Sequence, residues 1–493
     1  MTLKQPECCL QTTMAYGSST NKILTKDVKI FFLMNRFNRL IKILIYCFYF
    51  VTAESGDLID YNYQNSFSLS IIDISLSTLA GNLGFPLYPI SVYDIHYESR
   101  NPDGGLDTLS GLVTFPQSPT KAFPIAVYHH GTISLDDAAP SITGMSISNM
   151  EIFLIGLITS PYGFITMFPD YEGLGDSENY HPYTVSESYT RATVNMLRAI
   201  RQLPDVLNSN DRFQSNDQLF LIGYSEGGYA TLATQRGIQL QHTDEFQVTA
   251  SFPMAGPYDL AGTMVDYFLS EPIYPEPYYL PYVLTSYLWY YQGLDVDFHE
   301  YFQPFWADTL PSLFDGTHSS FEINQIMPNN PLEILLPQVL DAFINNNDHF
   351  FRQSLQENTL LDWTPQSPTY IYHGLGDDIV PYENAVNAYN SFVNNGALDI
   401  NLVLYPEELG GHSEIATICL LAGYEVILDY QIINSKGDIN GDGSLLTNDL
   451  AILIQAILLE NNLTNYESWA GDIDYNSQHS IFDLLQLVEL LTE

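Results

Sequence analysis

Three residues far apart in the chain have the types needed to move an acyl group. Ser225 stands in Leu219-Phe220-Leu221-Ile222-Gly223-Tyr224-Ser225-Glu226-Gly227-Gly228, an apolar run that breaks into Gly-x-Ser-x-Gly and then into a helical pattern. A strand turning sharply into a helix at that motif lifts the serine hydroxyl to the tip of the turn. The glycines serve sterically, because the turn brings neighbouring backbone too close for a Cβ. Downstream, Asp377 lies in Tyr372-His373-Gly374-Leu375-Gly376-Asp377-Asp378-Ile379-Val380-Pro381, and His412 follows Gly410-Gly411. A hydroxyl, an imidazole to take its proton and a carboxylate to orient the imidazole suffice for attack on a carbonyl.

The chain order Ser225, Asp377, His412 resembles that of the α/β-hydrolases and differs from the other serine-hydrolase orders. In that family Asp-x-x-Val-Pro places the acid at Asp377, ahead of Asp378. The resemblance implies an oxyanion hole built from the N–H of Glu226 and a second N–H in Tyr128-His129-His130-Gly131-Thr132, with Thr132 first choice and Gly131 second. His129 and His130 are expected to shape that loop. Pro169 to Ser177 resembles a loop common in such hydrolases, with Asp170 and Glu172 as loop-fixing groups. The resemblance covers about residues 60–430 and is nearest to secreted bacterial esterases and lipases. It implies cleavage of carboxylic esters, on lipid or on polysaccharide-linked acyl groups, through an acyl-enzyme. A serine peptidase of the prolyl-oligopeptidase type and a non-catalytic binding protein are the alternatives. No nucleotide cofactor is expected, since the Gly-rich stretches lack a phosphate-binding pattern, and none is expected for catalysis.

A different chemistry sits at the end of the chain. Asp438, Asn440, Asp442, Ser444 and Asp449 occupy positions 1, 3, 5, 7 and 12 of a twelve-residue stretch. Asp472, Asp474, Asn476, Gln478 and Asp483 repeat the pattern 34 residues later. Oxygen ligands at that spacing suit a calcium ion. With Asp at position 12 and no helix expected before each loop, residues 431–493 resemble a dockerin, and that resemblance implies structural Ca2+ and a cohesin partner. Leu446 and Ser480 depart from the usual Asn at position 9, and Ser477 replaces Gly at position 6 of the second loop. Loop one is therefore expected to bind better than loop two.

The elements that must position these groups are also legible. Apolar runs at Ile90–Tyr97, Leu112–Phe115, Pro124–His129, Phe164–Phe168, Leu219–Gly223, Val248–Phe252, Thr369–His373 and Leu402–Tyr405 alternate with helical segments. That predicts an α/β fold with a mostly parallel eight-stranded sheet covered on both faces. A helix over Thr190–Leu203 is expected to stop at Pro204. Between the strands at Val248 and Thr369 more than a hundred residues intervene, which predicts a cap over about 257–365 within a catalytic domain of 54–430. The cap is rich in aromatics: Tyr267, Phe268, Tyr274, Tyr278, Tyr279, Tyr282, Tyr287, Trp289, Tyr290 and Tyr291. Most should form its own core and a subset should face substrate.

Composition bounds the partners. The 493 residues carry 58 acidic and 16 basic side chains, a formal net charge of −42. Such a surface repels phosphate backbones, so nucleic-acid binding is not expected. Seven of the basic residues fall within residues 1–53, where Met34 to Lys42 and Ile43 to Val51 resemble the basic and apolar parts of an export signal. The start is then Met34 or Met1, cleavage follows Ala53, and an uncleaved anchor is the alternative. No stable membrane span is expected after cleavage. Of four cysteines only Cys419 would remain, and its apolar surroundings predict a buried small hydrophobe.

Overall fold

The structure, a computed structural model, describes residues 55–79, 85–102, 104–208, 211–271, 273–459 and 463–492, and the expected export signal lies outside them. From Ser55 onward the chain is one compact unit. All eight expected strands occur: β2 (Ile90–Arg100), β3 (Leu106–Pro116), β4 (Lys121–His129), β5 (Ile165–Pro169), β6 (Ser215–Tyr224), β7 (Val248–Met254), β8 (Thr369–Gly374) and β9 (Ile400–Tyr405). Two more were not expected. The edge strand β1 (Leu58–Phe67) is largely solvent-facing and mixes polar with apolar residues, so no apolar run betrays it, and β10 (Asn434–Ser435) is two residues long. The order is β1-β2-β3-β5-β4-β6-β7-β8-β9, antiparallel through β1, β2, β3 and β5 and parallel from β5 onward, with β10 antiparallel to β4.

The helices that matter for the site are α1 (Met150–Thr159), α2 (Ser186–Val206), α3 (Glu226–Gln241), α4 (Tyr279–Gln292), α5 (His412–Tyr430), α6 (Thr447–Leu459), α7 (Asn465–Gly471) and α8 (Ile481–Leu490). Side chains alternate across a strand, so β6 sends Phe220 and Ile222 into one core with α1 and α5 and Leu219 and Leu221 into another with α2. That two-sided burial is why the strands read as continuous apolar runs. Pro204 does not end α2, which runs on to Val206. A proline in the last turn removes one N–H donor there and leaves the preceding turns intact.

The insertion between β7 and β8 is helical, and its aromatics form a third core that also includes Tyr189 and Tyr229 from outside it. Tyr278, Tyr282 and Tyr287 are buried there. The cap is therefore rooted on α3, the helix that opens at the serine.

The carboxyl-terminal segment packs on the sheet and corrects one expectation. β10 pairs Asn434 with Ala122 and Ser435 with Lys121 of β4. Ala122 also joins the small core of Ile439, Leu453, Tyr466, Ala470, Ile473 and Leu487. A helix does precede the second loop. Thr464 accepts from Glu467 N–H while the Glu467 carboxylate accepts from Thr464 N–H, a capping box that starts α7.

Candidate active site

The turn between β6 and α3 is built as the glycines predict. Ser225 adopts φ 61°, ψ −123°, a conformation unusual for a residue with a Cβ, and its N–H donates to Met254 O at 2.9 Å. A Cβ on Gly228 would stand 2.1 Å from that same Met254 oxygen, and one on Gly223 would stand 2.2 Å from Gly227 O. His412, first residue of α5, brings Nε2 to 2.8 Å from Ser225 Oγ. Its Nδ1 lies 2.6 Å from Asp377 Oδ2. A carboxylate only accepts, so Nδ1 carries the hydrogen and the Nε2 lone pair faces the serine hydroxyl. Asp377 follows β8, and its Oδ1 accepts from Ile379 and Val380 N–H at 3.0 and 2.8 Å. Burial pushes its carboxyl up, but hydrogen bonds from His373 and His412 outweigh burial and hold it well below the usual carboxylate range. The Asp378 carboxylate instead accepts from the backbone N–H of His412, at 3.3 Å.

The serine stands at the end of β6, the acid after β8 and the histidine at the start of α5, on a fold that is shared with solved structures. The rice cell-wall-degrading esterase LipA of Xanthomonas oryzae aligns at 27% identity and TM-score 0.66, over 76% of this chain and 97% of the esterase. A hydrolase of Legionella pneumophila aligns at 28% identity and TM-score 0.67, over 76% and 98%. The fold is that of the α/β-hydrolase esterases and lipases. Candida antarctica lipase A shares the fold at 17% identity and TM-score 0.54, over 74% of this chain and 80% of the lipase. A secreted triacylglycerol lipase of Malassezia globosa is 32% identical over 70 residues, so the match spans 14% of this chain and 15% of the lipase. No family model matches.

In an α/β-hydrolase the oxyanion must lie between helix α3 and the loop after β4. Glu226 opens α3, so its N–H has no carbonyl within the helix to donate to. Thr132 lies on the facing loop, with Oγ1 3.1 Å from the Tyr183 hydroxyl. Gly131 is excluded as a donor, since its N–H bonds Glu151 Oε1 at 3.0 Å. That carboxylate also accepts the Tyr128 hydroxyl at 2.7 Å. His129 and His130 shape the loop as expected: His129 is fully buried between Thr231 and Thr193, and His130 contacts Gly131 O and Asp170 O. Asp170 is also buried and ties Ser110 and Ser141 together.

Ser225 opens on a cavity of about 40 Å³ beneath the cap, walled by Leu260, Met264, Phe268, Tyr274, Tyr279 and Val283 among others. Of the ten cap aromatics named from sequence, Phe268, Tyr274 and Tyr279 line it, and the rest pack elsewhere in the cap. Cys419 is fully buried, and burial pushes its thiol up to about 12, away from reactivity.

Sequence reasoning missed two polar groups of the site. His373 Nε2 lies 2.8 Å from Val380 O and 3.1 Å from Asp377 Oδ2, a second imidazole on the same carboxylate. Its place four residues before Asp377 was the available signal. Glu226 also offers its side chain, buried against His181 and Tyr189, and nothing in the local sequence marks that pairing.

The two acidic loops differ. Asp472, Asp474 and Asp483 each bring a carboxylate oxygen within 4.8 Å of the others, a cluster that hard cations prefer. No such grouping of Asp438, Asp442 and Asp449 occurs among the described residues. Each loop carries three carboxylates, but loop one has Asn440 at position 3, and its amide donates to Asp442 Oδ2 at 2.8 Å. Ser477 takes φ 62° where Gly443 takes 84°, so the serine makes the same turn under strain. Ser444, Asn476 and Gln478 lie in these loops, with Asn476 Nδ2 donating to Asp474 Oδ2 at 2.8 Å.

Proposed function

We propose that this chain is an exported serine carboxylester hydrolase that works through Ser225, His412 and Asp377. The carrying observation is the continuous Ser225–His412–Asp377 hydrogen-bonded array at the mouth of an apolar cavity. His412 Nε2 takes the Ser225 proton as Oγ attacks the ester carbonyl, and Asp377 stabilises the imidazolium. The N–H groups of Glu226 and Thr132 hold the charge that develops on the carbonyl oxygen. His412 then delivers the proton to the leaving alcohol, and water repeats the sequence to release the acid.

The cavity favours an aliphatic or aromatic acyl group, because few of its walls could satisfy a buried polar substrate. The name of the Xanthomonas esterase supports plant cell wall as the source of the ester, and that of the Malassezia lipase supports glycerides and secretion. The carboxyl-terminal loops are read as structural calcium sites of a dockerin-like segment that tethers the enzyme to a cohesin-type partner. The carboxylate cluster at Asp472, Asp474 and Asp483 supports the ion.

A screen of p-nitrophenyl esters, feruloyl and acetyl-xylan substrates and peptide amides tests the reading. Ester turnover that Ser225→Ala abolishes, by about four to six orders of magnitude, is the expected result. Full activity in that variant, or turnover of amides alone, overturns it.

A further inference from the structure

Beside Ser225 the chain buries a carboxylate that the acyl-transfer steps do not use. The Glu226 side chain has no exposed surface; its Oε1 lies 2.9 Å from His181 Nε2 and accepts the Tyr189 hydroxyl at 2.7 Å. A leucine would fill the same space without the desolvation penalty of a buried acid. A lone negative charge here would also oppose the oxyanion held by the N–H of the same residue.

Proton accounting removes that conflict. His181 Nδ1 faces Glu172 O at 2.8 Å, and a carbonyl only accepts, so Nδ1 carries a hydrogen. The contact between Nε2 and Oε1 then requires one further shared proton. Wherever it resides, the pair carries no net charge.

Two links run from the pair to the facing wall. Tyr183, two residues beyond His181, places its hydroxyl 3.1 Å from Thr132 Oγ1 and stacks on Tyr282 of α4 at 4.5 Å and 3°. Tyr171 stacks between His181, at 5.8 Å, and His130, at 4.1 Å, and donates its hydroxyl to His130 O at 2.9 Å. Residues 171–183 thus touch the His130–Thr132 loop at both ends, and His181 ties them to Glu226 of α3.

We propose that the Glu226–His181 pair is a positioning element of the oxyanion hole. It fixes the spacing of the Glu226 and Thr132 N–H donors and cancels the charge of its own acid. The inference rests on the Ser225 acyl-transfer reading. Those donors act on charge that exists only in the transition state, so a disturbed spacing lowers kcat and leaves KM in place.

The test compares Glu226→Leu, Glu226→Gln and Tyr189→Phe in the full chain. It uses p-nitrophenyl butyrate turnover and fluorophosphonate labelling of Ser225. The leucine variant should lose about a hundredfold in kcat, the scale of one oxyanion donor, with KM within about twofold. A glutamine amide nitrogen at the place of Oε1 is uncharged, can donate one hydrogen to His181 Nε2 and the other to the Tyr189 oxygen, and should restore most of the loss. Tyr189→Phe deletes one hydroxyl outside the cavity and should lower kcat about three- to tenfold, in line with one lost buried hydrogen bond. Wild-type protein with neither turnover nor labelling overturns the parent reading and this one with it. Active wild type with an unchanged kcat in the leucine variant, or with a loss confined to KM, overturns the positioning role alone. If the leucine variant does not fold, an unchanged kcat in Tyr189→Phe overturns it.

Discussion

A Cβ placed on Gly227 would stand 1.9 Å from the carbonyl oxygen of His129. The first turn of α3 therefore rests directly on the loop that leads from β4 to Thr132. The obstructing atoms, His129 O and C and His130 O, are all backbone, so none can rotate away. Gly227→Ala should part the two walls of the oxyanion site. Ester turnover should fall by at least about a hundredfold, and the melting temperature should drop by the equivalent of about 1–3 kcal/mol. Turnover at the wild-type rate would show that the close approach is not needed.

Asp377 should report itself through pH. Its carboxyl sits below the ordinary value when folded, so its stabilisation is fully present above about pH 4 and is lost as pH falls towards its own lower value. Melting temperatures of wild type and Asp377→Asn should differ most near neutrality, and the gap should close on acidification. The same variant should lose about four orders of magnitude in turnover. Asp378→Asn, which keeps an acceptor for the His412 N–H, should stay near wild type. If Asp378→Asn is the inactive variant, the acid is misassigned.

Phe268 and Phe302 separate the two uses of cap aromatics. Phe268 lines the cavity beside Ser225, whereas Phe302 is fully buried in the cap core. Phe302→Ala should cost about 3–5 kcal/mol of stability. Phe268→Ala should cost less and shift the preferred acyl length among p-nitrophenyl esters. An unchanged acyl profile in Phe268→Ala would place substrate elsewhere.

Calcium should be felt by the whole chain and not only by its end. The small core around Leu453 and Leu487 includes Ala122 of the sheet, and β10 pairs with β4. Calcium should neutralise the carboxylates of the second loop and raise the melting temperature of the full protein. Asp472→Ala with Asp474→Ala should remove that shift while fluorophosphonate labelling of Ser225 continues. An equal melting temperature in calcium and in EDTA would remove the calcium reading.

Much of the site was legible because its parts have local signatures. Gly-x-Ser-x-Gly encodes a turn, the apolar runs encode buried strands, and the order Ser225, Asp377, His412 follows from the order of those strands. Loop chemistry at Asp438 and Asp472 was equally local. β1 escaped because an edge strand with one partner has no need of an apolar run.

The sequence by itself determined the α/β alternation, the three residues of the hydrogen-bonded array, the place of the cap and the two acidic loops. Each depends on spacing within one element or on the order of elements. Only the tertiary structure decided the rest. It turned Gly131 away from the site by bonding its N–H to Glu151, chose Asp377 over Asp378 at the imidazole and paired Glu226 with His181. It also folded residues 434–435 onto β4. These partners lie 20, 35, 45 and 312–314 positions apart. Hydrogen bonds between such residues depend on how packed elements meet in space, and no periodicity along the chain records that meeting.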